Sequence, residues 1–362
     1  MYHPLHVLHI AKDEDGVVTT AHKTETFISE NLKETIHYYH PFATGIKIID
    51  RLISTRTFLK AGKKLIREEV KKNGPAFIHL HVAMRHGLLA VWAKKKFGIK
   101  YVITEHWTGY NTAEFPANLR PAKWFWIATR NIFSKAEYFY PEVKKVGEIV
   151  NKTIFPIPFK PVSNCVDISL FYFETSKPDF QKQFHFIHVS TLSFQKNIEG
   201  ILNVIERLNL DAQLFCFSLV GPASPEVLER VANSVVLKKL VRLTGPLTYD
   251  EVAAEVRKAH CLLMFSRFEN QPCVIVEALC AGLPVISTKV GGITEVLDSS
   301  NSLLINSEKE RELEDAILAM PCIYRQFEPE AIAARASALY SYQTIGAQIL
   351  AHYREDLSPN FQ

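Results

Sequence analysis

Two carboxylates, Glu269 and Glu277, have the spacing in this chain that most strongly indicates chemistry. Both lie within residues 266–297, Glu269 just before a predicted helix and Glu277 two turns inside it. A carboxylate that accepts two hydroxyls is a common way to bind a ribose or a hexose. The spacing alone is equally compatible with Glu269 favouring the helix dipole and Glu277 being solvated.

The predicted helix between them has recognisable end signals. Asn270 or Gln271 is placed to cap its start, and Pro272 suits the first helical position, where no N–H is needed. Gly282 follows the apolar run and ends the helix. We therefore expect a helix N-terminus next to Glu269, where backbone amides attract anions.

A second glycine-rich turn follows closely. An apolar strand is predicted over residues 283–288, and Gly291 and Gly292 precede another helix start at residues 293–295. A strand, a glycine turn and a helix N-terminus form a unit that binds anions such as a diphosphate. The sequence thus predicts two anion sites close together.

The whole motif is Glu-x7-Glu, then Ala-Leu-x-x-Gly-x-Pro-Val, then Val-Gly-Gly-x-x-Glu. It resembles the retaining nucleotide-sugar glycosyltransferases of family 4, which are α/β proteins with two Rossmann-like domains facing across a cleft (the GT-B fold). The resemblance covers roughly residues 75–355 and is strong after residue 185. It implies that Glu269 is catalytic and contacts the transferred sugar, whereas Glu277 holds the ribose hydroxyls of the donor. It also implies further donor-binding residues around the motif, namely Asn270, Gln271, Cys273, Gly291 and Gly292.

A predicted strand over residues 101–104 ends in Glu-His-Trp-Thr-Gly-Tyr. Alternating strands and helices predict a parallel sheet, whose ligands bind beyond the carboxyl ends of the strands. A single histidine in such a place is more often structural than catalytic. The resemblance implies that His106 faces the donor sugar and is catalytic, with Glu105, Trp107 and Tyr110 on the acceptor side.

The turn after the predicted strand 185–189 contains a residue expected to bind the donor diphosphate. The family usually has a Gly-Arg pair and then a lysine here; Lys196 matches the lysine, but Ser190 and Thr191 replace the pair. One lysine is a point charge without the bidentate fork of arginine, so helix N-termini are expected to contribute more. We assign Lys196 and Thr191 to the donor site.

Other donor-site and metal assignments follow the same pattern. Residues 241–247 resemble the segment that lines the nucleobase pocket, which assigns Gly245 and Leu247 to donor binding. Asp13-Glu14-Asp15 matches the metal motif of another glycosyltransferase class but is predicted to be a solvated turn. His79 and His81 are predicted to be core or second-layer histidines, since no third ligand is nearby. No metal and no cofactor beyond the nucleotide sugar are expected.

The length of 362 residues suits two domains, predicted at residues 1–161 and 162–362, with the last helix, near 343–353, packing back on the first. The first half carries 25 Lys and Arg against 14 Asp and Glu, and the second 17 against 24, which gives net charges of +11 and −7. A basic half suggests an anionic partner: a membrane surface, a phosphate-bearing acceptor or nucleic acid. The resemblance favours the first two and excludes nucleic acid as the expected partner.

Residues 118–135 interleave aromatic and basic side chains. This composition suits an interfacial helix at a membrane and, equally, a helix packed on the sheet. The six cysteines are predicted to be buried reduced thiols of a cytosolic protein. We expect a cytoplasmic protein, or one peripheral on the inner face of the membrane.

Family members normally begin with a strand and a Gly-rich loop before the strand that residues 6–10 resemble. This sequence has no such segment, which predicts an incomplete first domain or a misassigned start. We expect a metal-independent hexosyltransferase of surface polysaccharide or glycolipid assembly. The alternatives are a non-catalytic nucleotide-binding scaffold and another GT-B enzyme such as a nucleotide-sugar epimerase.

Overall fold

The computed structural model describes residues 5–12, 22–29, 32–39, 44–74, 77–176 and 178–357. The predicted turn at Asp13–Asp15 lies outside these residues. The strands are β1 (Leu5–Lys12), β2 (His22–Ser29), β3 (Leu32–Tyr39), β4 (Ile78–His81), β5 (Tyr101–Glu105), β6 (Phe139–Pro141), β7 (Phe184–Val189), β8 (Phe215–Val220), β9 (Val241–Gly245), β10 (Cys261–Met264), β11 (Val285–Thr288) and β12 (Ser302–Ile305).

The α-helices alternate with the later strands. They are α1 (Lys47–Asn73), α2 (Arg85–Phe97), α3 (Lys123–Phe133), α4 (Lys144–Thr153), α5 (Ile198–Leu208), α6 (Pro225–Asn233), α7 (Val235–Leu240), α8 (Tyr249–Lys258), α9 (Cys273–Cys280), α10 (Glu310–Ile323), α11 (Pro329–Tyr340) and α12 (Tyr342–Asp356).

The chain divides into two compact units. The first comprises Met1–Thr104 and Lys123–Glu137, and the second comprises Glu105–Ala122 and Tyr138–Gln362. This division does not test the domain boundary predicted near residue 161, which stays a prediction.

The first unit contains a small sheet in which β3 pairs in parallel with β1 and antiparallel with β2. The antiparallel pair confirms the hairpin that the sequence predicts from residues 24–28 and 34–39. β4 pairs in parallel with β5. Of the two histidines on β4, His79 bonds to the Thr104 hydroxyl at 2.7 Å, whereas His81 is exposed, so its predicted core position was wrong.

Helix α3 presents two different faces. Phe125, Ile132 and Phe133 are buried, whereas Trp124 and Ile127 are 57% and 69% exposed. Packing therefore accounts for the apolar residues on one face only. The exposed apolar residues on the other face are compatible with the predicted interfacial helix at a membrane. No helix among the described residues has both the length and the apolarity needed to cross a membrane.

The second unit is built on a six-stranded parallel sheet with the order β12-β11-β10-β7-β8-β9. Buried on both faces, its strands are runs of apolar residues such as Phe-His-Phe-Ile-His-Val in β7. Apolar residues of α5, α8, α9 and α10 join the same core. The predicted parallel α/β architecture is confirmed, and the loops after β7, β10 and β11 leave one edge of the sheet.

The apolar residues at 154–159 predict a strand interrupted by prolines, but they form only a single bridge between Phe139 and Phe159, because proline cannot donate to a sheet. Two further local predictions were wrong. Residues 293–295 form one 3₁₀ turn instead of an α-helix. All six cysteines are free, but among them only Cys261 and Cys280 are buried.

Candidate active site

An ion pair between Lys196 and Glu269 lies at the carboxyl edge of the parallel sheet. Lys196 Nζ is 2.5 Å from Glu269 Oε1, and the two side chains are 18% and 5% exposed. Gln195 also donates to the Phe268 carbonyl and to Glu269 Oε2, at 3.0 and 3.4 Å. The loop after β7 thus holds both oxygens of Glu269.

The same loop is fixed by a buried histidine. His188 Nδ1 donates to the Leu263 carbonyl at 2.8 Å, and the Ser190 hydroxyl donates to His188 Nε2 at 2.7 Å. Burial lowers the pKa of His188 to about 4, so the ring is neutral at pH 7. The Ser190 hydroxyl in turn accepts from the Leu192 amide at 2.9 Å. Ser190, which stands where the family has glycine, therefore organises the turn that leads to Lys196.

The two residues predicted to cap α9 have other partners. Pro272 is the N-cap residue, and its side chain makes no cap hydrogen bond. Asn270 donates to the carbonyl of His106 at 3.3 Å. Gln271 Oε1 accepts from the Asn164 amide at 2.7 Å, and the Asn164 side chain donates to the Gln271 carbonyl. The capping prediction was wrong because these side chains connect α9 to distant segments.

Gly291 occupies a turn that only glycine fits. Its φ is +54°, and a Cβ atom there would lie 1.6 Å from the Glu269 carbonyl oxygen. Its amide donates to Glu114 Oε2 at 3.1 Å, and Lys145 Nζ lies 3.5 Å from Glu114 Oε1. In this structure a carboxylate of the chain therefore occupies the amide predicted to bind an anion.

A second carboxylate caps α4. Glu295 accepts from the backbone amides of Lys144 and Lys145 at 2.8 and 2.7 Å. A carboxylate is favourable here because the first amides of a helix have no partner within the helix. The 3₁₀ turn after the glycines is thereby tied to the start of α4.

A small pocket of about 10 Å³ lies among several of these groups. Its lining residues are Tyr110, Asn111, Lys145, Val146, Ile149, Glu269, Asn270 and Gly291. It therefore places the predicted sugar-contacting carboxylate beside Tyr110 from the predicted acceptor side.

The segment after β5 carries the predicted catalytic histidine. Glu105, fully buried, accepts from the His106 amide at 3.1 Å and from the Tyr110 hydroxyl at 2.8 Å. His106 Nδ1 lies 2.8 Å from Glu142 Oε1. This hydrogen bond raises the pKa of His106; burial opposes the rise, and the charges of Glu142 and Glu105 add to it. Trp107 stacks edge-on against Tyr110, with ring centroids 5.0 Å apart.

Glu277 lies inside α9 and is 9% exposed. The Tyr249 hydroxyl donates to its Oε1 at 3.2 Å. Burial raises the pKa of Glu277, and the bond from Tyr249 partly offsets this. Although part of Cys273 is exposed, desolvation by its packed neighbours, followed by the charges of Glu277 and Glu142, raises the pKa of its thiol to about 11, so the thiol is protonated at pH 7.

The remaining predicted residues lie at strand ends. Gly245 ends β9 and accepts from the Gly221 amide at 3.0 Å, and Leu247 packs against the main core. Thr191 is exposed, and the amide of buried Gly292 donates to the Asn270 carbonyl at 3.0 Å.

The structure thus connects Lys196, Glu269, Asn270, Gly291 and the His106 segment in one region. Gln271 points to the segment at residues 163–164 instead. Sequence reasoning missed Glu114, Glu142, Lys145, Tyr249 and Glu295. Of these, only Glu295 carried a signal, as the last residue of the Val-Gly-Gly-x-x-Glu motif.

Within residues 5–12, 22–29, 32–39, 44–74, 77–176 and 178–357, no three side chains of His, Cys, Asp or Glu form a group that could hold a metal ion. Asp13 and Asp15 lie outside these ranges.

Comparisons with known proteins extend this description. Residues 183–320 match a family model described as Glycosyl transferases group 1. An uncharacterised glycosyltransferase of Methanocaldococcus jannaschii is 26% identical over 323 residues, 87% of this chain and 83% of that protein. Sucrose-phosphate synthase from Thermosynechococcus elongatus has a TM-score of 0.76 at 17% identity, over 96% of this chain and 88% of that chain. Anabaena HepE in complex with UDP-glucose has a TM-score of 0.68 at 17% identity, over 87% and 85% of the two chains. At such identities the two structures indicate a shared fold.

Proposed function

Residues 183–320 match the group 1 glycosyltransferases and the chain has the GT-B fold, and from that premise we propose that it transfers a hexose from a nucleotide-diphosphate sugar to an acceptor hydroxyl with retention of configuration. The bond from the anomeric carbon to the diphosphate oxygen breaks, and a bond to the acceptor oxygen forms. The acceptor proton leaves with the diphosphate or to water. The product belongs to surface polysaccharide or glycolipid assembly.

The observation that carries this proposal is the setting of Glu269. It is buried, held by Lys196 and Gln195, and lines a pocket with Lys145, Asn270 and other polar groups. A preorganised carboxylate stabilises positive charge that develops on the sugar in an oxocarbenium-like transition state. Such an arrangement contributes through positioning and electrostatics, without a covalent step by the protein.

The leaving diphosphate requires positive charge. Lys196 uses one of its three N–H donors on Glu269 and has further donors for a phosphate oxygen. The start of α9, which lacks a side-chain cap, offers backbone amides and the positive end of the helix dipole. We propose that these groups act in place of a metal ion.

The rest of the donor follows the sheet edge. Glu277 would hold the ribose hydroxyls, and Gly245 and Leu247 would line the nucleobase pocket. The setting of Glu277 supports this role. The side chain is nearly buried, and among the residues that the structure describes only its Oε1 accepts a hydrogen bond, which leaves Oε2 for a hydroxyl. The solved complex of HepE with UDP-glucose makes uridine diphosphate sugars the first donors to test.

The first unit supports a peripheral membrane role. Exposed apolar residues on α1 and α3, namely Ile48 (75%), Leu52 (66%), Trp124 (57%) and Ile127 (69%), form what we call the α1–α3 apolar face. The Arg51 guanidinium lies 5.3 Å from the Trp124 ring centroid and links the two helices. Apolar side chains beside cations suit the headgroup boundary of an anionic bilayer. We propose that this face docks on the membrane that carries a lipid-linked acceptor.

One experiment tests the activity. The purified chain is incubated with a panel of nucleotide sugars and carbohydrate or lipid-linked acceptors in EDTA, and nucleoside diphosphate release and product anomer are followed by NMR. We expect metal-free transfer with the anomeric configuration of the donor. Binding without release would favour the non-catalytic scaffold, and an altered sugar without transfer would favour an epimerase. An absolute requirement for manganese, together with loss of activity when Asp13 and Asp15 are replaced, would contradict metal independence.

A further inference from the structure

A buried carboxylate stands behind His106. The Glu142 side chain is 3% exposed, and its Oε1 accepts from His106 Nδ1 at 2.8 Å. Its second oxygen, Oε2, is buried and has no hydrogen-bond partner among the residues that the structure describes. A carboxylate removed from water with a single hydrogen bond is unfavourable unless a positive charge compensates it. The compensating group in contact is the His106 imidazole.

Two carboxylates beside His106 favour its charged form. Glu105 accepts from its backbone amide, and Glu142 accepts from its ring. Burial raises the pKa of the Tyr110 hydroxyl, which is bonded to Glu105, and desolvation by packed neighbours raises the pKa of the Cys273 thiol near Glu142, so both groups are neutral at pH 7. The hydrogen bond to Glu142 raises the pKa of His106 most, burial opposes this rise, and the charges of Glu142 and Glu105 add to it.

We propose that Glu142 is a positioning residue that orients the His106 ring and stabilises its imidazolium form, so that His106 serves the substrate as a charged hydrogen-bond donor and not as a general base. This inference rests on the proposed function for the identity of the substrate. The His106 side chain is 44% exposed, so a ligand can reach it. A donor of this kind suits an oxygen on which negative charge develops, such as that of the leaving diphosphate.

The backbone around Glu142 is fixed well enough for such a role. Its neighbour Val143 packs against Gly292, where a Cβ atom would lie 2.2 Å from the valine methyl Cγ2. The amides of Lys144 and Lys145 are held by Glu295, and the Pro141 carbonyl accepts from the Val162 amide at 2.8 Å. Contacts on both sides of Glu142 thus limit the positions that its carboxylate can take.

The test compares wild type with Glu142→Gln, Glu142→Asp and the control Glu137→Gln, which removes an ion-paired carboxylate in the first unit. NMR titration of His106 without substrate should show its pKa lowered in Glu142→Gln, partly restored in Glu142→Asp and unchanged in the control. With a nucleotide sugar and acceptor, Glu142→Gln should lower kcat about 10- to 100-fold, the range for a hydrogen bond between charged groups. The Kd of the nucleoside diphosphate should change little.

The pH profile separates a charged donor from a base. Wild-type kcat should fall as the pH rises through the pKa of His106, and in Glu142→Gln this fall should move to lower pH. In a His106→Gln background, Glu142→Gln should lower kcat no further, since the two substitutions remove the same interaction. An unchanged His106 titration in folded Glu142→Gln would overturn the proposal, as would a wild-type rate that rises through the same pH range. If Glu142→Gln lowers the pKa of His106 as expected but the wild-type protein transfers no sugar, the proposed function is contradicted and the role of Glu142 is not.

Discussion

Nζ of Lys196 lies 2.5 Å from Oε1 of Glu269, and both side chains are largely buried. Removing one partner of a buried ion pair leaves the other charge uncompensated, which costs about 3–5 kcal/mol. The pair therefore fixes Glu269 in the free protein and leaves Lys196 beside any diphosphate bound there. If the proposed function is correct, stability and catalysis are coupled at this contact.

We expect Glu269→Gln to lower turnover far more than nucleotide binding. Under the proposed function the carboxylate contacts the sugar, whose charge changes in the transition state, and a loss of about 100-fold or more in kcat is typical for such a group. The amide keeps the shape of the side chain and avoids an empty space. Single-turnover kinetics and calorimetry with the nucleoside diphosphate measure the two effects.

Glu308→Gln is the matched control for that variant, because Glu308 pairs with Arg267 but is 67% exposed. It should leave both parameters near wild type. Equal losses of binding and turnover in Glu269→Gln would contradict a role specific to the sugar.

Glu277→Ala should weaken nucleotide binding while the fold stays intact. Loss of a charged acceptor for ribose hydroxyls costs about 1.5–3 kcal/mol, or roughly 10- to 150-fold in Kd. Titration calorimetry measures this directly, with Glu229→Ala on the exposed side of α6 as the control. Tyr249→Phe should have a smaller effect, since the tyrosine acts through Glu277. Unchanged affinity in Glu277→Ala would remove the residue from the donor site.

Gly291→Ala should destabilise the protein, whereas Gly346→Ala should not. A Cβ atom at Gly291 meets the Glu269 carbonyl at 1.6 Å and the residue has φ +54°, but a Cβ atom at Gly346 within α12 meets nothing within 4 Å. Overpacking costs about 1–3 kcal/mol, and alanine in a helix gains up to about 1 kcal/mol over glycine. Urea unfolding compares the two variants. If the two variants had equal free energies of unfolding, the turn at Gly291 would accommodate a Cβ atom, which would contradict the prediction.

The free energy of unfolding should decrease as the pH falls, because two histidines are held neutral in the folded state. Burial lowers the pKa of His188 to about 4 from an ordinary 6.5, and that of His185 likewise to about 4. Since the unfolded chain binds these protons first, their contribution is complete above pH 6.5 and is lost as the pH falls toward 4. Each histidine adds a slope of at most about 1.4 kcal/mol per pH unit.

His188→Gln should remove one such slope when the free energy of unfolding is measured by urea between pH 7.5 and 5. The value at pH 7.5, where the histidine is neutral in both states, gives the packing cost of the substitution alone. A pH dependence identical to that of wild type would contradict a neutral His188 in the folded state.

Anionic vesicles should bind the chain through the α1–α3 apolar face. Replacing Trp124 and Ile127 by serine should abolish flotation with anionic vesicles at low salt, and replacing exposed Leu228 of the second unit should not. Each cation near such a surface contributes about 1 kcal/mol, so added salt should also weaken binding. Equal flotation of wild type with neutral and anionic vesicles would rule out this docking.

Much of the second unit could be predicted from sequence. The runs of β-forming apolar residues in β7, β8 and β10 predict buried parallel strands, and the Glu-x7-Glu motif places Glu269 before α9 and Glu277 within it. Local patterns suffice because strand burial and helix period depend on neighbouring residues. Capping of α9 was wrongly predicted because Asn270 and Gln271 bond to segments more than 100 residues away.

The sequence by itself determined the residue types at the carboxyl ends of the strands and the parallel α/β architecture that brings those ends to one edge. Only the tertiary structure decided which groups meet there: Glu142 with His106, 36 residues apart, and Glu295 with the start of α4, about 150 residues away. A carboxylate with no local pattern around it has no predictable partner. Its burial and its pairing depend on long-range packing, which brings together charges that local propensities do not link.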